Sequence, residues 1–326
     1  MKTKKTIEQK TVEQRREEVL ARGRKFKYPL QYAKHRLVLN TIIIATVTVV
    51  LLLVAGWFAL YKAQSSSEML YRITRILPVS VAEVDGEKVR FSDYLMLFRS
   101  SLMAVEQQAG QLGNDADAED LRETYKRQEL TNAERFTYAL KLGEELGIEV
   151  TDEEIEAKFV EHRKVGGEER SEESFLKVLN DNFGWSKSEY MRMLYLSIME
   201  MKVRQAIDAT AGEVAERVES LIANGKSYAE IAGELGEAIV YEETGILVDN
   251  TNIDGGRSAV AMKLESGQES GKFISSSGDG YYFVKLVNKS TTQVNYVSIK
   301  VPFTEFTNRF EKLSEEGKIK EYIALE

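Results

Sequence analysis

The sequence predicts a single transmembrane helix followed by a mainly α domain and then an α+β domain. Three features carry that reading: an uncharged run at Leu37–Leu60, apolar residues at helical spacing from Tyr94 to about Ile207, and alternating strands with turn signals after Gly212. The chain then divides into a basic cytoplasmic tail at 1–36, the span at 37–61, a stalk at 62–79, an α-helical domain at 80–209, an α+β domain at 210–290, and a C-terminal strand and helix at 291–326 that could complete its sheet.

The run LVLNTIIIATVTVVLLLVAGWFAL holds 24 residues without a charge. As a helix it reaches about 36 Å, slightly more than the roughly 30 Å hydrocarbon layer, and a modest tilt absorbs the excess. Asn40 and the threonines are tolerable because a helix satisfies its own backbone and short polar side chains bond back to it. Leu37 and Leu60 bound the anchor, and Trp57 and Tyr61 sit where amphipathic rings meet an interface. The 36 residues ahead of it exceed what a cleaved secretory signal shows, so the span is expected to be retained.

Residues 1–36 carry 12 Lys or Arg against 4 Glu, a net of +8, whereas the remainder carries 32 basic and 48 acidic residues, a net of −16. Positive charge stays inside, which places the N-terminus in the cytoplasm and the C-terminal domains outside, in contact with a lipid bilayer. The basic tail serves as a topology signal, and nucleic-acid binding is not expected. With no Cys in the chain there is no disulfide framework and no thiolate chemistry. No cofactor or metal is expected: Asp249, Asp254 and Glu265 match no calcium-loop spacing, and Gly278-Asp279-Gly280 lacks the context of a nucleotide loop.

In the exported part, Val81–Val84 and Lys88–Phe91 read as short strands around an Asp85-Gly86 turn. Ser92 then caps a helix with Tyr94, Leu95, Phe98, Leu102 and Val105 inward, ending at Gly110–Asn114. Helical periodicity resumes over Leu121–Glu129 and again from Asn132 to Gly147. Thr151 and Glu154 form a capping box for the helix Glu153–Arg163. Glu172–Asn182 is helical, and Ser186 or Ser188 starts a long helix to Ile207. Beyond a boundary at Ala209–Gly212 come a helix at Gly212–Asn224, a strand at Gln293–Val301 expected to pair with Tyr281–Leu286, and a helix at Phe303–Leu313.

The string VAEVDGEKVRFSDYLMLF at Val81–Phe98 resembles the opening of the N-terminal chaperone domain of the SurA, PpiD and PrsA family, and ALKLGEELGIEVTDEEIEAKF at Ala139–Phe159 resembles its later helix junction. Downstream, Gly225–Ala232, Gly245–Val248, Lys263–Gln268 and Gly280–Leu286 are similar in order and spacing to elements of the parvulin-type prolyl isomerase domain that follows it. That likeness adds a strand at Gly245–Val248 and a hairpin around Ser275–Gly280. The resemblance implies a membrane-anchored extracytoplasmic foldase or holdase whose partners are unfolded or newly exported polypeptides, placed beside the translocation machinery.

Activity is where the chain departs from that pattern. Parvulins carry two groove histidines, but this chain has only His35, ahead of the span, and His162, in the helical domain. Tyr282 stands where the closing-strand histidine would be, and Glu237 is the acidic residue near the family's Cys or Asp position. These two are the catalytic candidates, and a non-catalytic domain is the expectation. An active parvulin-type isomerase, or a surface scaffold for one fixed partner, are the alternatives. Met191, Met193, Met199, Met201, Phe98, Tyr281 and Phe283 are the client-binding candidates, since methionine repacks against varied apolar groups. A long helix of this kind more often uses such residues as core.

Overall fold

The computed structural model describes residues 12–27, 29–109, 115–165 and 168–325. It separates into a unit at Met1–Ala63 and a unit at Gln64–Glu326. The first holds α1 (Val12–Lys27) and α2 (Pro29–Tyr61), in which Arg36–Tyr61 is long and apolar enough to cross a membrane.

The second unit opens with α3 (Glu68–Ile76), where a stalk was expected. Ser67 caps it by accepting the Leu70 N–H, and Leu70, Tyr71 and Thr74 are buried. A hairpin follows, β1 (Ser80–Val84) and β2 (Glu87–Arg90). Asp85 and Gly86 both adopt positive φ, 48° and 92°, the backbone a two-residue turn between twisted strands demands. Helix α4 (Phe91–Ala109) begins one residue before Ser92, so that serine lies inside the first turn and is not the expected cap. The break expected at Gly110–Asn114 lies outside the described residues. The two expected helices after it are one, α5 (Asp115–Leu146), because Leu130, Ala133 and Phe136 bury continuously along it.

Helix α6 (Asp152–His162) carries the Thr151–Glu154 capping box. A short pair, β3 (Lys164–Val165) and β4 (Glu168–Glu169), leads to α7 (Glu172–Phe183) and then to α8 (Lys187–Ile207), which Ser186 caps. Phe159, Phe175, Leu179, Tyr190 and Leu194 form the core shared by α6, α7 and α8.

The α+β region starts with α9 (Ala209–Ala223) and α10 (Tyr228–Leu235). Strands β5 (Val240–Glu243) and β6 (Val248–Asp249) both pair with β9 (Gln293–Pro302), α11 (Arg257–Ala261) lies between them and β7 (Phe273–Ile274), and β8 (Gly280–Lys289) sits between β7 and β9. The strand expected at Gly245–Val248 shrinks to β6, whose pairing begins only at Val248. The hairpin expected from the alternation of Gln293–Val301 is present, with Phe283 opposite Ile299 and Tyr282 opposite Lys300. Its period-two pattern buries Phe283, Ile299 and Val301 against α9 and α10 on one face, and Val284, Leu286, Val294 and Tyr296 against α11 on the other.

The C-terminal segment expected to complete this sheet divides. Strand β9 does join it, but α12 (Glu305–Glu315) and β10 (Ile319–Glu321) return to the helical region. Phe306 of α12 lies 5.4 Å from the Tyr138 ring and beneath the guanidinium groups of Arg135 and Arg204. Strand β10 pairs antiparallel with β1, so 291–326 is not an appendage of the second region alone. Lys318–Leu325 is part of the fold: Ile323 is buried and Tyr322 N–H donates to Val81 C=O at 2.9 Å.

Asp208, 4% exposed, stands at the joint between α8 and α9. One carboxylate oxygen accepts the Ala211 N–H at 3.0 Å, and the other accepts those of Thr304 and Glu305 at 2.7 and 3.0 Å. Replacing it with Ala orphans three N–H groups, so Asp208→Ala should cost roughly 3 kcal/mol in urea unfolding, and Asp208→Asn less; a cost within about 0.5 kcal/mol would contradict this role.

Glu134 of α5 is buried beneath the C-terminal tail, where Arg127 pairs with Glu321 at 2.6 Å, and its Oε1 has no partner. Burial, reinforced by Glu321, pushes its carboxyl from 4.5 up to about 8. Folding therefore favours the protonated acid: its contribution is intact below pH 4.5 and is lost as pH rises through about 8. Glu134→Gln should remove that loss, gaining on the order of 3 kcal/mol over the wild type at pH 8 and little at pH 4.5; parallel unfolding curves at the two pH values would contradict it.

Candidate functional site

An open apolar surface of the helical region is built where α7 turns into α8. Helix α7 ends at Gly184, whose φ of 67° lets its N–H reach Asn180 C=O at 2.9 Å. A Cβ there would stand 2.6 Å from Met103 Sδ, which a flexible side chain can relieve, so it is the left-handed backbone that calls for glycine. Two residues later Ser186 and Glu189 form a capping box that starts α8. Phe183 and Trp185 are thus held between two helix ends, their rings stacked at 5.4 Å and 22°.

Trp185 Nε1–H donates to Met96 C=O at 3.3 Å, and its ring lies 5.9 Å from Tyr190. Phe183 remains 43% exposed. On one side of this aromatic pair a cavity of about 370 Å³ runs between α4, α5 and α8, with Leu97, Ala104, Tyr125, Phe136 and Met193 in its walls. Its polar edge is a bonded set, Ser101 and Asn132 both donating to Glu129 at 2.7 and 2.9 Å. On the other side a cavity of about 200 Å³ is lined by Met96, Leu102, Met103 and Arg99. The second cavity is of mixed character, with Ser66, Ser100, Glu106 and Glu189 also in its walls, whereas the concave, largely apolar walls of the larger one, with Met193 and a satisfied polar edge, suit an apolar side chain presented by a flexible ligand.

Of the residues singled out in the sequence, Met193 alone lies in this wall. Met191 and Met201 are half-buried against the α6–α8 core. Met199 is 4% exposed and its sulfur fills the space beside Gly143 of α5. Phe98 is buried and stacked on Tyr94 at 5.7 Å, and Phe283 is buried between the sheet and α9 and α10. Met199, Phe98 and Phe283 are therefore core residues and present no surface to a ligand, a correction to their selection as candidates. Tyr281 is half-buried, edge-on to Phe303 at 4.9 Å. Phe183 and Trp185 were missed; the signal that pointed to them is an aromatic on each side of a glycine at a helix end.

Leu37 and Trp57 are exposed along α2, Leu60 is buried, and the Trp57 and Tyr61 rings lie 6.2 Å apart.

The two remaining candidates do not come together. Glu237 lies exposed in the turn Gly236–Ala238, whereas Tyr282 is 4% exposed on the sheet face beneath α11. The acid that meets the Tyr282 hydroxyl is Asp279, at 3.3 Å. Burial works against the Asp279 charge, but hydrogen bonds from Lys300, Ser275 and Ser277 outweigh it and draw the carboxyl down to about 2. Burial raises the phenol of Tyr282, and the Asp279 charge adds to it, so the hydroxyl stays protonated as a donor. The ring lies between the Arg257 guanidinium at 5.1 Å and the Lys300 ammonium at 5.8 Å. Beside it Asp254 accepts the Tyr296 hydroxyl at 2.6 Å, and Arg257 pairs with Glu242 and reaches the Ser298 hydroxyl at 3.3 Å. Asp249 accepts the Thr251 N–H at 2.8 Å and serves its own turn.

His162 sits in α6 with Nδ1 2.6 Å from the Tyr190 hydroxyl, and burial lowers its pKa. It belongs to the α6–α8 aromatic cluster and lies away from this sheet in the fold.

A family model described as the SurA-like N-terminal domain matches residues 31–204, from within α2 to within α8, and so contains both walls of the aromatic groove. No curated protein and no solved structure matches the chain.

Trp57 and Trp185 are the two tryptophans, so Trp57→Phe leaves Trp185 as sole reporter. In that background an apolar dye should perturb Trp185 emission, and Phe183→Ser should weaken dye binding about tenfold while leaving the unfolding midpoint nearly unchanged. Equal loss of binding and stability would mean that the pair is only a packing element.

Proposed function

The chain belongs to the SurA-like N-terminal domain family, a chaperone-type family, and from that premise we propose that it is a membrane-anchored extracytoplasmic holdase for newly exported polypeptides. The observation that carries this is the groove around Phe183 and Trp185, open, apolar and inside the matched domain. An unfolded segment places one apolar side chain against the stacked rings, and Met193 and Met103 repack around whatever shape arrives. Specificity stays low because the polar edge at Glu129 is already bonded to the protein's own Ser101 and Asn132.

Anchorage rests on α2, whose apolar stretch suits a single pass. The +8 charge ahead of it and the −16 after it favour a cytoplasmic N-terminus. Holding a chain near its exit from the translocation machinery then requires location and an apolar surface.

The α+β region reads as a parvulin-like domain without catalysis. No histidine follows His162 in the chain, and the Tyr282 hydroxyl is committed to Asp279. Stabilising a twisted prolyl amide requires donors aimed at the substrate, and here those groups bond to one another.

The test uses the full chain in phospholipid vesicles. It should suppress aggregation of a chemically unfolded client, lose most of that effect with Phe183→Ser, and keep it with Tyr282→Phe. It should leave cis/trans isomerisation of a proline peptide at the uncatalysed rate. Isomerisation at a parvulin-like rate would make it an enzyme, and failure to hold any client would favour a scaffold for one fixed partner.

A further inference from the structure

Helix α3 has two apolar faces. Leu70, Tyr71 and Thr74 are buried on one, where the Tyr71 ring stacks beneath the Arg99 guanidinium of α4 at 4.8 Å. On the other, Met69, Ile73 and Ile76 are 68%, 40% and 84% exposed, followed by Leu77 at 45%. At about 100° per residue, positions 69, 73 and 76 fall within an arc of about 60°, a stripe along the helix. Arg72 and Arg75, both exposed, lie together along one side of it; Arg72 Nε donates to Glu68 at 2.7 Å and the Arg75 guanidinium stands 5.9 Å from the Tyr71 ring, so each presents the rest of its fork to solvent.

We propose that this stripe lies in the headgroup layer of the bilayer, a second membrane contact beyond the span; it rests on reading α2 as that span. Only residues 62–67 lie between α2 and α3, and an extended segment of that length reaches about 25 Å at most. The helix is thereby tethered within reach of the lipid surface, and the tether makes docking intramolecular, so a stripe too small to hold a soluble protein on a membrane suffices. The chemistry matches that occupant: apolar side chains enter the acyl boundary while the flanking guanidinium groups extend along it to anionic phosphates. Helix α3 also packs on α4, a wall of the groove, so the contact would set the height and orientation of the binding surface above the membrane.

The chain has no cysteine, so single-cysteine variants carry one spin label each without background. Labels at positions 69, 73 and 76 of the full chain, with Val50 in the span and the exposed Asn224 as references, are compared in vesicles of phosphatidylethanolamine and phosphatidylglycerol. The stripe labels should collide with oxygen in preference to a polar nickel chelate, as Val50 does and Asn224 does not. Ile73→Glu should return the label at 76 to the aqueous pattern, and phosphatidylcholine in place of phosphatidylglycerol should make all three shallower. Aqueous behaviour at 69, 73 and 76 with Val50 in lipid would overturn the docking and leave the span intact. Val50 in water would overturn both. Protection from the chelate with spin–spin broadening would assign the stripe to a second copy of the chain and overturn the lipid contact.

Discussion

One carboxylate holds the joint on which the rest of the second unit depends. Asp208 ends α8, starts α9 and anchors the chain where it returns to α12, three backbone donors converging on one buried side chain. Charge-assisted bonds to backbone N–H are among the stronger kind, and they strengthen further out of water. Because the donors come from segments almost a hundred residues apart, the bond ties the sheet to the helical region at a definite angle. From that joint α12 reaches Tyr138 and β10 reaches β1, so the last residues of the chain complete the first hairpin.

Partly buried charges fix the helices around that joint. Glu200 pairs with Arg135 of α5 at 2.9 Å and with Arg204 along its own helix, and both guanidinium groups cover the Phe306 ring. Arg192 meets Asp93 of α4 at 2.8 Å. Such pairs add little net stability against apolar replacements, but breaking one strands a charge, so they specify how α8 sits on α4 and α5. That placement is what leaves the gap lined by Met193, Leu97 and Phe136 open beside Phe183 and Trp185.

The sheet shows the opposite disposition of polar groups. Where the groove offers exposed rings, the face around Tyr282 is a closed set: Tyr282 on Asp279, Asp279 on Lys300, Tyr296 on Asp254, Arg257 on Glu242. Each donor has an acceptor within the protein, which rigidifies the face and leaves little for a substrate. An open apolar groove and a closed, rigid polar face are thus divided between the two regions.

By itself the sequence determined what local chemistry controls. The uncharged run that became α2, the Thr151 cap, the Asp85-Gly86 turn and the alternation that pairs Tyr281–Leu286 with Val294–Ile299 are all legible, because each depends on neighbours within a few residues or on a strict period, whereas the start of α8 was narrowed only to Ser186 or Ser188. Burial was not legible in the same way. Met199 and Met193 stand on one helix with similar neighbours, and only packing decides that the first is core while the second lines the groove; Phe98 and Phe283 are buried by the same long-range contacts, and Phe183 stays exposed at a glycine-ended turn. The return of the C-terminus was equally hidden, since Asp208 finds Thr304 and β10 finds β1 across most of the unit's length, and no residue spacing encodes a partner that far away. The sequence determined the elements that local chemistry and strict periods control; the tertiary structure decided the short elements such as α3 and β10 and which apolar side chains are surface, because those depend on long-range contacts.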